Sequence, residues 1–354
     1  MSHGNNTFRS EYRNANRRKI VFIILLIVLA LAAFFITLGF GVYDISVTRA
    51  VETFFEHISG NITDVRDDYY VWDIRTPRAI GAIIIGAGLA VAGAIMQNDF
   101  KNPLADPYTM GISSGAFLGA TLSIVFGISI IPWFDGLSST VVNSFIFSLI
   151  PTTIIILVSK FRNLTPAAMI LTGIAVMFLF SSITQIIMVT APSESLADAY
   201  EWRVGSLSSL RWECLPIMAG TAIVIISVLW LLSSKLNIMY AGDRAVQTFG
   251  EKADKIRLLT LVLVSLLTAA MICYTGTIGF IGLVGPHVAR IFVGSNNRYL
   301  IPASAAFGAA FVIIADTIAK ISGPNGLPVG VICSMIGGPL FIYILIKQRK
   351  SAWM

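Results

Sequence analysis

The sequence has few charged residues, cysteines and histidines. Only 12% of its 354 residues are charged, against roughly 25% in soluble domains, which excludes a free soluble enzyme. The three cysteines, Cys214, Cys273 and Cys333, are far apart and form no CxxC motif, so neither a metal site nor a disulfide framework is predicted. The chain also lacks GxxxxGK[ST]. It therefore has no P-loop in which to hold ATP.

Long apolar runs take the place of the missing charge. Nine stretches contain no acidic, basic or histidine residue, and nearly all reach the ~20 residues that a membrane-spanning helix needs. They are 20–40, 79–98, 107–134, 136–159, 163–193, 214–234, 258–286, 299–315 and 321–346. The sequence therefore predicts an all-α polytopic membrane protein.

The charge distribution predicts the topology of these spans. Both ends of the chain are basic, at 9–19 and 347–350, and the positive-inside rule places both termini in the cytoplasm. Nine crossings would separate the termini, so one crossing must be hidden. We place it in 258–286, because this run has 29 residues and a Gly-rich stretch interrupts it at 276–285. It would form an outward span near 258–276 and a short returning helix near 281–294, which gives about ten transmembrane helices.

This topology also predicts the domain organisation. Residues 1–18 form a basic cytoplasmic tail, and 19–350 form a single permease domain with cytoplasmic helices at about 241–257. Most lysines and arginines then lie inside, while acidic residues are concentrated in the first and third external loops.

The spans are nearly free of ionisable groups. Ion-coupled carriers usually keep buried charges for their task, and Asp316 is the one acid set well inside an apolar stretch. If this protein pumps a substrate, the energy is therefore expected from a partner. An ion-coupled secondary carrier stays an alternative from a different class, which transport by the purified chain alone would reveal.

The cytoplasmic segment 235–257 is the expected docking place for that partner. Asp243 can cap a short helix that Gly250 ends in a left-handed turn, and a second helix starts at Glu251. The first helix would carry Ala245, Val246 and Phe249 on one face. An aromatic residue in a polar loop favours a partner contact over a plain connector.

A second group of candidate residues lies on the outside. Arg75 and Arg78 flank Pro77 just before a span, and Lys320 lies at the outer end of another. Three cations on an acidic face can receive carboxylates of an extracellular partner. Interfacial snorkelling is the alternative, especially for Lys320. In the first external loop, apolar residues at helical spacing over 47–58 predict an amphipathic helix along the outer membrane surface.

Four ordered motifs follow one another along the chain. The first is RTPRAIGAIIIGAGLAVAGAIMQNDFKNPLADPYTMGISSGAFLGA (75–120), in which glycines flank a polar loop over 97–107. The others are AGDRAVQTFGEKADKIR (241–257), TGTIGFIGLVGPHVARIFVG (275–294) and LPVGVICSMIGGPLFIYIL (327–345). In this order they resemble the FecCD-type permeases, the membrane subunits of ABC importers for ferric siderophores, haem and vitamin B12. The resemblance covers the chain after residue 18.

The resemblance implies a type II ABC importer permease fold and a set of partners. These are a second permease subunit in a homodimer or related heterodimer, two ATPase subunits that carry ATP and Mg, and an extracytoplasmic binding protein. This chain itself would bind no cofactor or metal. Arg75, Arg78 and Lys320 would receive the binding protein, although Lys320 replaces the commoner Arg. The cytoplasmic gate would comprise Asn102, Leu104, Thr165, Pro166 and Ala167.

The function implied is ATP-driven import of a ferric siderophore-type chelate by a subunit that is not itself an enzyme. Cobalamin and haem stay open as alternative cargoes.

Overall fold

The computed structural model describes residues 2–162, 165–323 and 326–347, excluding the side chains of 2–12 and 162, and this part of the chain is helical without strands. Fifteen α-helices follow in order, with a π-helical turn (Tyr69–Arg75) between the third and the fourth. They are α1 (Ser2–Thr37), α2 (Val47–Ser59), α3 (Val65–Asp68), α4 (Thr76–Asp99), α5 (Ile112–Phe126), α6 (Gly136–Arg162), α7 (Pro166–Thr190), α8 (Ser193–Val204), α9 (Leu215–Leu231), α10 (Ser233–Ala241), α11 (Asp243–Thr248), α12 (Ala253–Thr275), α13 (Ile281–Val293), α14 (Asn297–Ile321) and α15 (Val329–Lys347).

Seven of the helical segments described are long and apolar enough to cross a membrane. They contain α1, α4, α6, α7, α12, α14 and α15, and the pair α9 and α10, bent by 56°, can form an eighth span. The other two apolar helices, α5 and α13, have only 15 and 13 residues, fewer than the ~20 that a full span needs. The all-α polytopic class is thus confirmed, while the count of ten crossings and the cytoplasmic termini stay predictions.

Helix α4 lies in the middle of the bundle, where it packs against α9, α12, α13 and α14. Two glycine contacts bring its backbone against its neighbours. A methyl group on Gly86 would collide with the carbonyl oxygen of Gly308 in α14, and one on Gly93 with that of Gly282 in α13. Small residues at such crossings let membrane helices pack backbone to backbone.

The glycines downstream of the polar loop allow close packing between α5 and α6. Gly115 lies against the carbonyl oxygen of Phe147, and Gly119 against that of Asn143. Gly111 has a different role. It precedes α5 as its N-cap and has the left-handed conformation, with a φ of 86°. The polar loop itself is shorter than predicted, since α4 continues through Gln97 and Asn98 to Asp99.

The predicted break in 258–286 is confirmed, with helix ends within a few residues of those expected. Helix α12 ends at Thr275, and α13 covers Ile281–Val293. Between them, Gly276 has a φ of 70° and Phe280 a φ of 68°. A left-handed glycine ends a helix at little steric cost, and here it separates the two helices.

The first loop contains the predicted amphipathic helix as α2. The Ser46 hydroxyl caps it by accepting a hydrogen bond from the Arg49 backbone N–H at 3.3 Å, and Gly60 ends it in the left-handed conformation. Phe54 packs edge-on against Phe34 and Phe35 of α1, at ring-centroid distances of 5.8 and 6.0 Å. Part of the apolar face is therefore covered by the protein itself.

Candidate docking, coupling and gate sites

Two of the three predicted docking cations, Arg78 and Lys320, surround a buried carboxylate. Asp316 in α14 is fully buried, and its Oδ1 accepts hydrogen bonds from Arg78 Nε at 2.9 Å and Arg78 Nη2 at 2.7 Å. Lys320 lies one helical turn further along α14, with its Nζ 3.2 Å from Asp316 Oδ2. Asp316 thus neutralises one of two cations and fixes the position of both. The sequence analysis did not predict that Asp316 pairs with these cations, although its four-residue spacing from Lys320 could have indicated an ion pair on one face of a helix.

Arg75 occupies a different position from the one that a docking surface requires. It is 3% exposed, its Nη1 donates to the Leu38 carbonyl oxygen at 2.7 Å, and its Nη2 donates to the Tyr43 carbonyl oxygen. In this structure Arg75 therefore holds the connection between α1 and α2. The expected open pair of arginines is not present, because the head group of Arg75 points inward.

Lys320 is also directed inward. Its Nζ donates to the Thr37 hydroxyl of α1 at 3.0 Å, and its side chain is 4% exposed. Of the three predicted docking residues, only Arg78 is partly open, with 19% of its side chain exposed.

The predicted short helix is present as α11, but Asp243 does not have the capping role assigned to it. The N-cap is Gly242, and the Asp243 side chain makes no capping bond. Instead the carboxylate lies 3.1 Å from both Lys101 Nζ and Arg257 Nη2. Partial burial raises the pKa of Asp243, but the hydrogen bond from Lys101 and the charge of Arg257 outweigh it, so the pKa lies below its ordinary value.

Arg257 is the coupling-region residue that sequence analysis missed. It is 1% exposed, and its Nε donates to the Asp99 carbonyl oxygen at the end of α4, at 3.1 Å. Its Nη1 donates to Asp254 at 2.9 Å, and its Nη2 to Asp243. One buried guanidinium therefore joins α11, α12 and α4. A buried arginine is retained only with such partners, but the sequence could not show which groups they would be.

The three apolar residues predicted to share one face of this helix do not do so, and Phe249 follows α11 as its C-cap. Val246 is buried in a cluster with Met239, Ala253 and Ile256, whereas Phe249 is 69% exposed and Ala245 is half-buried. Val246 fastens the helix to the bundle, and Phe249 is left for a contact outside it.

The residues that follow α11 support this arrangement. Gly250 has a φ of 75°, as the left-handed ending predicts. Glu251 Oε1 lies 2.6 Å from Lys235 Nζ of α10, so the turn is tied back to the preceding helix. The exposed phenyl ring of Phe249 is therefore presented on a segment held at both ends.

The two predicted gate segments lie at helix ends. The Asn102 side-chain oxygen accepts a hydrogen bond from the Leu104 backbone N–H at 2.9 Å, which shapes an exposed turn directly after α4. Thr165 caps α7 by accepting from the Ala168 backbone N–H at 3.3 Å. Pro166 and Ala167 form the first turn of α7, where proline is favoured.

A network of buried amides joins the end of α4 to its neighbours near the gate turn. Asn98 donates to the Leu236 carbonyl oxygen of α10 at 3.1 Å, and Asn297 of α14 donates to Asn98 at 3.3 Å and to Asn237 at 3.0 Å. Gln97 donates to the Gly282 carbonyl oxygen at 3.2 Å. The sequence indicated only polar loop residues here, because their partners lie far along the chain.

The fold is thus a polytopic helical bundle, with a buried charge cluster near the start of α4 and the Arg257 contacts at its end. The FecCD transport family matches residues 25–347. The chain therefore belongs to this family of ABC permeases, and it is a multi-pass protein of the cell membrane.

Three curated relatives support this assignment. The hemin transport system permease of Yersinia pestis is 37% identical over 80% of this chain and 85% of its own. The cobalamin import system permease of Halobacterium salinarum is 34% identical over 80% of this chain and 74% of its own. An Fe(3+)-citrate import system permease of Bacillus subtilis is 32% identical over 95% of this chain and 98% of its own.

A solved structure of an inward-facing metal-chelate-type ABC transporter has the same fold. It superposes with a TM-score of 0.81 at 28% identity, and the match covers 92% of this chain and 99% of that one.

Proposed function

We propose that this permease imports ferric siderophore-type chelates, receiving them from an extracytoplasmic binding protein and drawing energy from two separate ATPase subunits. The family match over residues 25–347 carries this proposal. A haem or cobalamin cargo is the alternative, because relatives with comparable identity are named for hemin and cobalamin.

The coupling region supports a partner that acts from the cytoplasmic side. The exposed ring of Phe249 is suited to a groove on an ATPase subunit, since a buried aromatic residue can supply much of the affinity of an interface. Arg257 then joins α11 to the end of α4. A displacement of α11 would be carried by this guanidinium to the gate turn at Asn102 and Leu104.

The charge cluster argues against an ion-coupled carrier. Asp316, the acid that would suit an ion relay, is held between Arg78 and Lys320. A carboxylate with two cations at hydrogen-bond distance has its charge already balanced. On the outer side, the partly open Arg78 is the residue we assign to the binding protein, with Arg75 and Lys320 supporting it from within.

Reconstitution tests the proposal. Proteoliposomes that contain the permease, its ATPase and the loaded binding protein should accumulate a ferric siderophore only with ATP. Accumulation by the permease alone would contradict it and favour a carrier. Accumulation of haemin or cyanocobalamin in place of the siderophore would establish the alternative cargo.

The Phe249→Ala variant tests the contact with the ATPase. Loss of a central aromatic anchor should weaken ATPase binding by about tenfold or more, as measured by co-purification at graded ATPase concentrations. Phe126→Ala is the matched control, because Phe126 is an exposed aromatic at the end of α5, and it should bind the ATPase normally. Equal affinities of the two variants would remove Phe249 from the interface.

A further inference from the structure

A cavity of about 590 Å³ opens between five parts of the fold. It is bordered by the beginnings of α5 and α15, the middle of α7, the end of α8 and the turn that follows α12. This volume lies within the range of small-molecule sites, roughly 300–1,000 Å³.

The polar groups of this cavity are mostly hydroxyls. Ser113 and Ser114 come from α5, Ser181 from α7, Thr277 from the turn and Ser334 from α15. Arg203 is the one charged residue among the described residues that line it, and the lining includes no carboxylate. The cavity therefore combines weak neutral contacts with a single positive charge.

Arg203 is held in position but its charge is not neutralised. Its guanidinium carbon lies 5.4 Å from the centroid of the Phe117 ring, and its backbone carbonyl accepts a hydrogen bond from the Thr277 hydroxyl. Trp202 stacks on the same ring at 6.0 Å. Arg203 makes no salt bridge with any residue that the structure describes.

A structural role at the end of α8 explains only part of this geometry. A cation in the last turn favours the helix dipole, and Arg203 does lie in the last turn of α8. That role, however, does not require the guanidinium to line a cavity. Two helices, α5 and α15, also begin at the cavity, and the positive ends of their dipoles add to the potential of Arg203.

We propose that this cavity is a cargo subsite that selects anionic metal chelates, such as those with free carboxylates, over neutral ones, and that Arg203 determines this selectivity. The inference rests on the proposed function, because it places the transported chelate in this cavity. The hydroxyls would contact chelate oxygens without binding them tightly, while the guanidinium would attract the net negative charge and form a planar contact with a carboxylate.

Thiol labelling measures the potential of the cavity directly. The full-length Ser334→Cys protein in lipid nanodiscs is labelled with an anionic and with a cationic methanethiosulfonate, and the ratio of the two rates is the anion-to-cation ratio. We expect this ratio to be higher at Ser334→Cys than at Thr190→Cys. Thr190 is exposed at the end of α7 and does not line the cavity. Adding Arg203→Gln should lower the anion-to-cation ratio by about tenfold, and Arg203→Lys should keep it.

Cargo protection supplies the second measurement. Ferric citrate, which is anionic, should slow the labelling of Ser334→Cys at concentrations where a neutral ferric trihydroxamate does not. Raising the salt from 0.1 to 1 M should reduce the anionic preference with Arg203 intact, which tests the charge even if Arg203→Gln fails to fold. An unchanged ratio in Arg203→Gln, an absence of salt dependence, or equal protection by both chelates would overturn the proposal.

These measurements need neither ATPase nor binding protein. Failure of ATP-dependent uptake with normal labelling selectivity would therefore count against the proposed function alone. Normal uptake with no charge selectivity would count against the cavity proposal alone.

Discussion

At the scale of single residues, Asp316 accounts for the arrangement of the outer charge cluster. A fully buried carboxylate carries a desolvation penalty that is offset only by close counterions and hydrogen bonds, and Arg78 and Lys320 provide both. Arg78 keeps 19% of its side chain exposed while Asp316 holds its guanidinium in place. Asp316 is thus a positioning residue for the candidate docking arginine.

Replacing this carboxylate should destabilise the protein. Asp316→Asn leaves the buried Lys320 and the partly buried Arg78 without this counterion, so we expect a loss of about 3 kcal/mol in the free energy of unfolding, measured as a lower thermal midpoint in detergent. Glu52→Gln is the control, because Glu52 forms only an exposed, 3.9 Å pair with Arg49, and such pairs contribute little. If Asp316→Asn is as stable as the control, the cluster is not held by its charges.

At the scale of helices, the connection from α11 to α4 runs through Arg257. The guanidinium reaches three partners because its donors are planar and diverge, whereas a lysine ammonium presents a single point of charge. A substitution that keeps the charge therefore still breaks the connection.

Arg257→Lys should uncouple transport from ATP hydrolysis. We expect the number of chelates imported per ATP to fall several-fold while the ATPase still binds, because Phe249 is unchanged and the contact with the Asp99 carbonyl is lost. Uptake and phosphate release, measured in the same proteoliposomes, give this ratio. Asp254→Ala, which removes only an exposed partner of Arg257, should keep the ratio close to wild type, and an equal effect of both would contradict the assignment to Arg257.

Helices α4 and α14 can cross closely because each has a glycine, Gly86 and Gly308, at the point of contact. Gly308→Ala places a methyl group against the Gly86 carbonyl oxygen, and such overpacking costs about 1–3 kcal/mol. The thermal midpoint should fall accordingly. Gly220→Ala in α9 has no neighbouring atom within 4 Å, so it should leave the midpoint unchanged or raise it slightly. Equal midpoints for the two variants would mean that the helices can separate freely.

The helices could be predicted more fully from the sequence than the sites could. Glycines and the length of an apolar run located the break between α12 and α13, because local backbone preferences determine it. The inward positions of Arg75 and Val246 could not be predicted, since both depend on neighbours that are distant in sequence or belong to another helix. The same holds for Asp243, whose carboxylate binds Lys101 and Arg257 instead of capping its own helix.

At the scale of the whole molecule, the distribution of charge predicts which side of the membrane each end of the bundle faces. Residues 60–64 follow α2 on the predicted outer side, and α11 lies on the predicted inner side. The two regions therefore provide reporters for the topology.

Labelling of intact cells should distinguish the two sides. A membrane-impermeant maleimide should modify Asn61→Cys in intact cells, but Gln247→Cys only after permeabilisation. Both positions are exposed, and the wild-type chain, with its own three cysteines, gives the background. Modification of Gln247→Cys in intact cells would invert the topology and exclude a cytoplasmic ATPase contact at α11.

The short length of α13 has a consequence for biogenesis. Thirteen residues give a rod of about 20 Å, which is shorter than the hydrocarbon core of about 30 Å. Released alone into lipid, such a helix would expose unpaired backbone groups at its ends. We therefore expect α13 to leave the translocon together with α12 and to pack against α4, which is synthesised earlier, so that the order of synthesis contributes to correct assembly.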